Sequence, residues 1–275
     1  MKIENMGRDI LIFADSLREK ERSEKTINAY CYSVWQFQRE QGNFTWQTLH
    51  AYKESLIRRY KPRTVNQRIC GINTWLKFKE STLPPLKQVK VQQISYLENV
   101  ISDADYERLK NALASDGLWV WFYLVHYMAS TGMRVSEVRL ITAEDVQRGW
   151  KDVLSKGGKD RRIFFPEDLR QRTLKWLNSI YLLHGPIFLN KRGAVITDSG
   201  IRSQLKVFAV RYGIPSEVMH PHSFRHHFAK TFLHNYPDIS LLADLLGHTK
   251  IDTTRIYLRQ TCSEQKDLIN KIVTW

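Results

Sequence analysis

Trp119-Val-Trp-Phe-Tyr-Leu-Val-His-Tyr-Met-Ala-Ser130 runs straight into Thr131-Gly-Met-Arg-Val-Ser-Glu137, and the fold is read outward from this stretch. The first part is nearly all apolar, which predicts a helix buried at the centre of a globular domain. It is too short to cross a membrane, which takes about 20 apolar residues. Thr131-Gly132 ends the helix, and Arg134 emerges in the tight turn before the next short one. An arginine at the end of a buried helix needs an anionic partner or a route to water. Glu137, three residues on, can hold it, although a purely structural Arg–Glu pair has the same spacing.

On the C-terminal side, residues 150–166 (WKDVLSKGGKDRRIFFP) predict a β-hairpin. Val153 and Leu154 supply one strand, Ile163, Phe164 and Phe165 the other, and Gly157-Gly158 the turn. Lys156 sits at the lip of that turn, with Lys159, Arg161 and Arg162 as competing cations. After His220-Pro221, His222-Ser-Phe-Arg225 opens a helix. His222 and Arg225 share one face at i and i+3 and can reach a common ligand, while Phe224 and Phe228 point to the core. His226 and His227 read as packing or surface residues. Leu245-Leu246-Gly247 ends a further helix at its glycine and presents His248 outward. Thr253-Thr-Arg-Ile-Tyr257 follows as a short helix or turn. Its spacing from His248 singles out Tyr257 among the 12 tyrosines.

The other direction reads as short helices. Ser102-Asp-Ala-Asp105 is a helix start. Ser23 can cap a helix with Ile27, Tyr30, Cys31, Val34 and Trp35 on one stripe, and residues 63–80 carry a second stripe of Val65, Ile69, Ile72 and Leu76. Weaker helical patterns cover 7–20 and 45–60. Around the start of the last of these helices, Arg58, Arg59, Lys61, Arg63 and Arg68 cluster near backbone amides, a combination suited to phosphate contact, though each singly reads as a solvated charge. Pro84-Pro85 and the polar run after it predict a linker over about 82–98 that buries little.

The net charge is +14, and residues 1–92 hold 17 Lys and Arg against 9 Asp and Glu, so the excess is concentrated there. That favours a polyanionic partner such as nucleic acid. The odd, widely spaced cysteines Cys31, Cys70 and Cys262 form neither a disulfide framework nor a metal-ligand pair. No Walker loop or acidic metal cluster is evident, so neither a metal nor a cofactor is expected. A soluble cytoplasmic protein is expected, since no signal pattern and no long apolar run is present. Two arginines, a lysine and two histidines can surround one phosphate, and a phenol can attack it.

Taken together, TGMRVSE, KGGKDRR, HPHSFRHHFA, LLGH and the Thr-Thr-x-x-Tyr segment resemble the motifs of the tyrosine recombinase (phage integrase) family, in order, across about 102–260. The simple two-domain kind, similar to Xer recombinases and transposon resolvases, is the one resembled. Phe224, His227 and Leu258 depart from the usual pattern without touching a motif position that carries chemistry. The resemblance implies a mainly α fold with a small β-hairpin: a helical core-binding domain over 1–82, a linker over 83–98, a mixed α/β catalytic domain over 99–260 and a terminal helix over 261–275. It implies Arg134, Lys156, His222, Arg225, His248 and Tyr257 as catalytic residues, with Glu137 orienting Arg134 or its neighbours. Arg58, Arg59, Lys61, Arg63, Arg68, Lys159 and Arg161 would contact DNA.

The expected reaction is cleavage and rejoining of double-stranded DNA recombination sites through a 3′-phosphotyrosyl link and a Holliday junction. The resemblance further implies a homo-tetramer on two sites, in the bacterial cytoplasm at the nucleoid, with room for accessory directionality proteins. Thr261-Cys-Ser-Glu264 fits a capping box, and Leu268, Ile269, Ile272 and Val273 form a stripe for docking on a neighbouring protomer or on the chain's own domain. A helical domain that begins almost at residue 1 leaves no room for a separate arm-site module. Two rivals stay open: a monomeric topoisomerase of the same chemistry, and a DNA-binding protein without catalysis.

Overall fold

The computed structural model describes residues 3–91, 99–154, 160–248, 251–258, 266 and 269–273. The chain forms two compact units, Met1–Gln93 and Ile94–Trp275.

In the first unit, a 3-10 turn (Ile3–Asn5) precedes α1 (Arg8–Glu19), α2 (Glu24–Gln41), α3 (Trp46–Arg59) and α4 (Pro62–Phe78). The helix starts follow local chemistry. Ser23 Oγ accepts from the Thr26 amide at 3.3 Å, and Thr45 and Thr48 cap each other reciprocally. Pro62 occupies the first position of α4, where a missing N–H costs nothing. Helix α2 packs against α1, α3 and α4. The expected stripes meet in one core: Ile27, Cys31, Val34, Ile69 and Ile72 are fully buried, beside Phe13, Phe37 and Trp75.

The stretch past Pro85, expected to bury little, is held down instead. Leu86 is 4% exposed and joins the core. Two asparagines of α4 act as clasps on its backbone. Asn73 accepts from the Leu86 amide and donates to the Leu86 carbonyl, both at 2.9 Å; Asn66 does the same for Val89 at 2.8 and 2.9 Å. A side-chain amide offers one donor and one acceptor, so it can satisfy both backbone groups of an extended residue, as a neighbouring strand would.

The second unit contains α5 (Asp103–Ser115), α6 (Trp119–Thr131), α7 (Val135–Val138), α8 (Ala143–Arg148), β1 (Trp150–Leu154), β2 (Asp160–Phe164), α9 (Glu167–Ser179), α10 (Asp198–Arg211), α11 (Pro221–Asn235), α12 (Ile239–Leu246) and α13 (Asp252–Arg255). A 3-10 turn, Ile256–Leu258, follows. The apolar α6 is the central helix, packed on α5, α9 and α11, with Leu124, Val125, Tyr127 and Met128 fully buried. Strands β1 and β2 pair antiparallel, Trp150 opposite Phe164 and Val153 opposite Arg161. Burial alternates along β2 and just beyond: Arg161, Ile163 and Phe165 face in, Arg162 and Phe164 face out.

This is a mainly α fold with one small hairpin. No helix among the described residues is long and apolar enough to cross a membrane. At the C-terminus, Ile269, Ile272 and Val273 are exposed, while Thr261 to Glu264 and Leu268 lie outside the described residues.

Candidate active site

Two helices that end on left-handed glycines build the centre of the site. Gly132 closes α6 with φ +61°, and Gly247 closes α12 with φ +64°. Such ends leave carbonyls without intrahelical partners, carrying the negative end of the helix dipole. Arg225, on the first turns of α11, collects both. It is 3% exposed, and it donates from Nη1 to the Gly132 carbonyl at 2.6 Å and from Nη2 to the Leu246 carbonyl at 2.8 Å. Its charge is thus held by dipoles rather than by a carboxylate, which leaves it available to an anion. Burial, and Arg134 nearby, push its pKa down to about 10, so it stays charged at neutral pH.

Arg134 caps α7, as expected from the turn. Glu137 Oε2 accepts from the Arg134 amide at 2.7 Å, and Oε1 accepts from Arg134 Nη1 at 2.9 Å. Arg134 Nη2 reaches the Gly247 carbonyl at 3.3 Å. The end of α12 is therefore gripped by two arginines from different parts of the chain.

His248 follows directly. Its Nε2 lies 2.9 Å from Arg225 Nη2, and its Nδ1 lies 2.8 Å from Thr254 Oγ1, a fully buried hydroxyl. Burial, then Arg225, Arg134 and Arg161, lower its pKa to about 4, so the ring is neutral. Tyr257 packs beside it. The His248 and Tyr257 rings are nearly parallel, 10° apart, with centroids at 6.3 Å. Tyr257 is 5% exposed; burial raises its pKa, while Arg225, by charge and a hydrogen bond, and Arg134 pull the other way.

His222 stands exposed at the start of α11. Partial desolvation, then Arg225, Arg134 and Arg202, lower its pKa, so it is a free base at neutral pH. His226, expected to be packing or surface, lies between His222 and Tyr257, its ring centroid 5.9 Å from the first and 5.3 Å from the second.

The structure therefore brings together Arg134, Glu137, His222, Arg225, His248 and Tyr257. Lys156 and Lys159 lie outside the described residues. Arg161 is corrected: expected as a DNA contact, its side chain is 7% exposed, and it donates from Nη2 to Glu137 Oε2 at 2.7 Å. Strand alternation was the available signal, since Arg161 shares the inward face of Ile163 and Phe165. Thr254 was missed as well, although it lies three residues before Tyr257, one helical turn away.

Among the basic residues of the first unit, Arg58, Lys61 and Arg63 are exposed around the α3–α4 turn. Arg59 is exposed too but paired with Glu40 through two bonds at 3.1 and 2.6 Å. Arg68 is half-buried, its guanidinium 4.3 Å from the centre of the Tyr32 ring.

A family model described as "Phage integrase family" matches residues 99–264. The chain is 30% identical to a tyrosine recombinase XerC of Staphylococcus saprophyticus, with 88% of this chain and 89% of the relative covered. It is 27% identical to a tyrosine recombinase of Agathobacter rectalis, covering 93% and 92%. Among solved structures, it resembles XerH site-specific recombinase bound to a palindromic difH substrate in a post-cleavage complex (TM-score 0.73, 18% identity, 90% of this chain and 79% of that one). XerA recombinase is a further likeness (TM-score 0.55, 23% identity, 97% and 98%).

Proposed function

The chain belongs to the phage integrase family as a tyrosine-type site-specific DNA recombinase, and on that premise we propose that Tyr257 is its nucleophile. The observation that carries this reading is the convergence of Arg134, Arg225 and His248 on one side of the Tyr257 phenol. An anion held by Arg225 lies next to the attacking oxygen.

In the proposed reaction, the Tyr257 oxygen attacks the scissile phosphorus. The Tyr–phosphate bond forms as the bond to the 5′-oxygen breaks. An unperturbed phenol has a pKa of about 10, so a base must take its proton. His222, neutral and exposed, is that base. Arg134 and Arg225 offer forked donors to the non-bridging oxygens, where negative charge builds. Lys156 protonates the departing 5′-oxygen. The products are a 3′-phosphotyrosyl link and a free 5′-hydroxyl, one phosphodiester exchanged for another. Attack by a second 5′-hydroxyl reverses the step on a new strand.

His248 needs one adjustment to take part. With Arg225 donating to its Nε2, its proton sits on Nδ1 and is donated to Thr254. A phosphate oxygen that draws Arg225 away frees Nε2. Transfer of the ring proton to Nε2 then lets His248 donate to the phosphate, while the Thr254 hydroxyl turns from acceptor to donor. A hydroxyl is suited to this because it can fill either role.

The first unit would hold the DNA backbone through Arg58, Arg59, Lys61, Arg63 and Arg68. Two strand exchanges in a homo-tetramer on paired sites, through a Holliday junction, complete the proposal, with the protein in the cytoplasm at the nucleoid. The test is a supercoiled plasmid carrying one or two copies of a target site. Recombinant products that need both copies support the reading. Relaxation that is indifferent to the second copy would instead assign a topoisomerase.

A further inference from the structure

Arg161 is an expensive residue to keep where it is. A buried guanidinium costs several kcal/mol in desolvation unless its donors are satisfied. Only Nη2 is bonded here, to Glu137 at 2.7 Å. Nε and Nη1 are buried without a hydrogen-bond partner among the described residues. Burial correspondingly lowers its pKa, against the opposing pull of Glu137. An apolar side chain would suit the inward face of β2 better on packing grounds alone. The position of the guanidinium accounts for the exception. It lies against Gly247 so closely that an added Cβ would collide with its Nη1 and Cδ. Its carboxylate partner is the same Glu137 that fixes both the backbone and the side chain of Arg134. Arg161 therefore touches the support of Arg134 and the peptide before His248, from a strand that begins just after the segment holding Lys156.

We infer that Arg161 is a positioning residue, a buried clamp that ties β2 to Glu137 and to the Gly247 peptide and so registers the hairpin against Arg134 and His248. The inference rests on the phosphoryl-transfer reading above. It adds a third arginine around a single carboxylate, so the site keeps a surplus of positive charge in a poorly solvated setting, where such charge acts most strongly on an incoming phosphate.

Covalent trapping on saturating nicked DNA, DNA affinity, and backbone hydrogen exchange at 160–164 and 246–248 test it in wild type, Arg161→Lys, Arg161→Met, Glu137→Gln and the Glu137→Gln/Arg161→Met double variant. Arg161→Met is expected to slow trapping by about tenfold or more, the order expected of small misplacements in a site, with affinity changed by less than about threefold. Arg161→Lys, which keeps charge but not the fork, should fall between. The double variant should be no slower than the slower single variant, because both act through one contact. Exchange at both segments should quicken in Arg161→Met.

A wild-type trapping rate in Arg161→Met overturns the inference. So does a loss confined to DNA affinity with a shallower salt dependence, which would mark a phosphate contact. Multiplying effects in the double variant overturn it too. If the wild type itself traps no DNA, the phosphoryl-transfer reading fails. Exchange then decides Arg161 alone: quickening at both segments supports the clamp, and unchanged exchange refutes it.

Discussion

Arg225 Nη2 lies 2.9 Å from His248 Nε2, and since a guanidinium only donates, the imidazole accepts there and carries its proton on Nδ1, against Thr254. Thr254→Val keeps the shape and removes the hydroxyl. Trapping of DNA should slow by about tenfold, as for loss of one supporting hydrogen bond of about 1–1.5 kcal/mol, with little change in DNA affinity. Thr254→Ser should restore the rate. Equal rates for wild type and Thr254→Val in single-turnover assays would remove Thr254 from the mechanism.

Arg225 itself joins the ends of α6 and α12 as well as meeting the phosphate. Arg225→Lys retains a charge but cannot reach the Gly132 carbonyl, the Leu246 carbonyl and His248 together. Cleavage should drop by roughly 10²–10³, the order seen when a preorganised donor is lost. Gel retardation should still show a stable DNA complex. A variant that cleaves within a few-fold of wild type would show that the fork is dispensable.

Gly132 is the hinge of that arrangement. At φ +61° an added Cβ would sit 2.5 Å from Phe228 Cδ1 and 2.8 Å from Leu246 Cδ2. Gly132→Ala combines a left-handed backbone penalty of about 1–2 kcal/mol with overpacking of about 1–3 kcal/mol. Thermal melting should fall by several degrees, with cleavage lost because the carbonyl under Arg225 moves. An unchanged melting temperature would show that the turn relaxes freely.

Three histidines, His126, His226 and His248, have pKa values lowered to about 4, in each case by burial first. The unfolded chain takes up these protons near pH 6.5, whereas the folded chain resists until about pH 4. Stability is therefore full above about pH 6.5 and is lost as pH falls toward 4, by at most about 1.4 kcal/mol per pH unit for each histidine. Urea denaturation at pH 7, 6 and 5 should show falling midpoints, and flat midpoints would refute the assignment.

In the first unit, Asn66→Ala or Asn73→Ala removes two backbone hydrogen bonds from residue 89 or 86. Each should cost about 1–3 kcal/mol. Limited proteolysis should then cut within 83–91 faster in the variants, at a rate the wild type does not show.

The sequence exposed those features whose causes are local. Ser23 and Ser102 mark helix starts because a cap acts over three residues, and Gly132 and Gly247 mark ends because only glycine turns there easily. The His222–Arg225 spacing likewise places both on one helical turn. What stayed hidden depends on partners far along the chain. Arg161 meets Glu137 across 24 residues, and Arg225 meets Gly132 across 93. Asn66 and Asn73 looked like ordinary polar positions on a helix, since nothing near them in sequence tells which backbone they clasp. Arg161 was legible in part: alternation on β2 pointed it inward, but its charge argued for solvent, and the carboxylate that overrules that argument sits on another element.

Covalent trapping tests the central claim most directly. Nicked suicide DNA bearing candidate sites is incubated with wild type and with Tyr257→Phe, and the products are run on a denaturing gel. A protein–DNA band from the wild type that vanishes in Tyr257→Phe, with DNA binding retained, is the predicted result. A band that survives in Tyr257→Phe would contradict the account and place the nucleophile on another side chain.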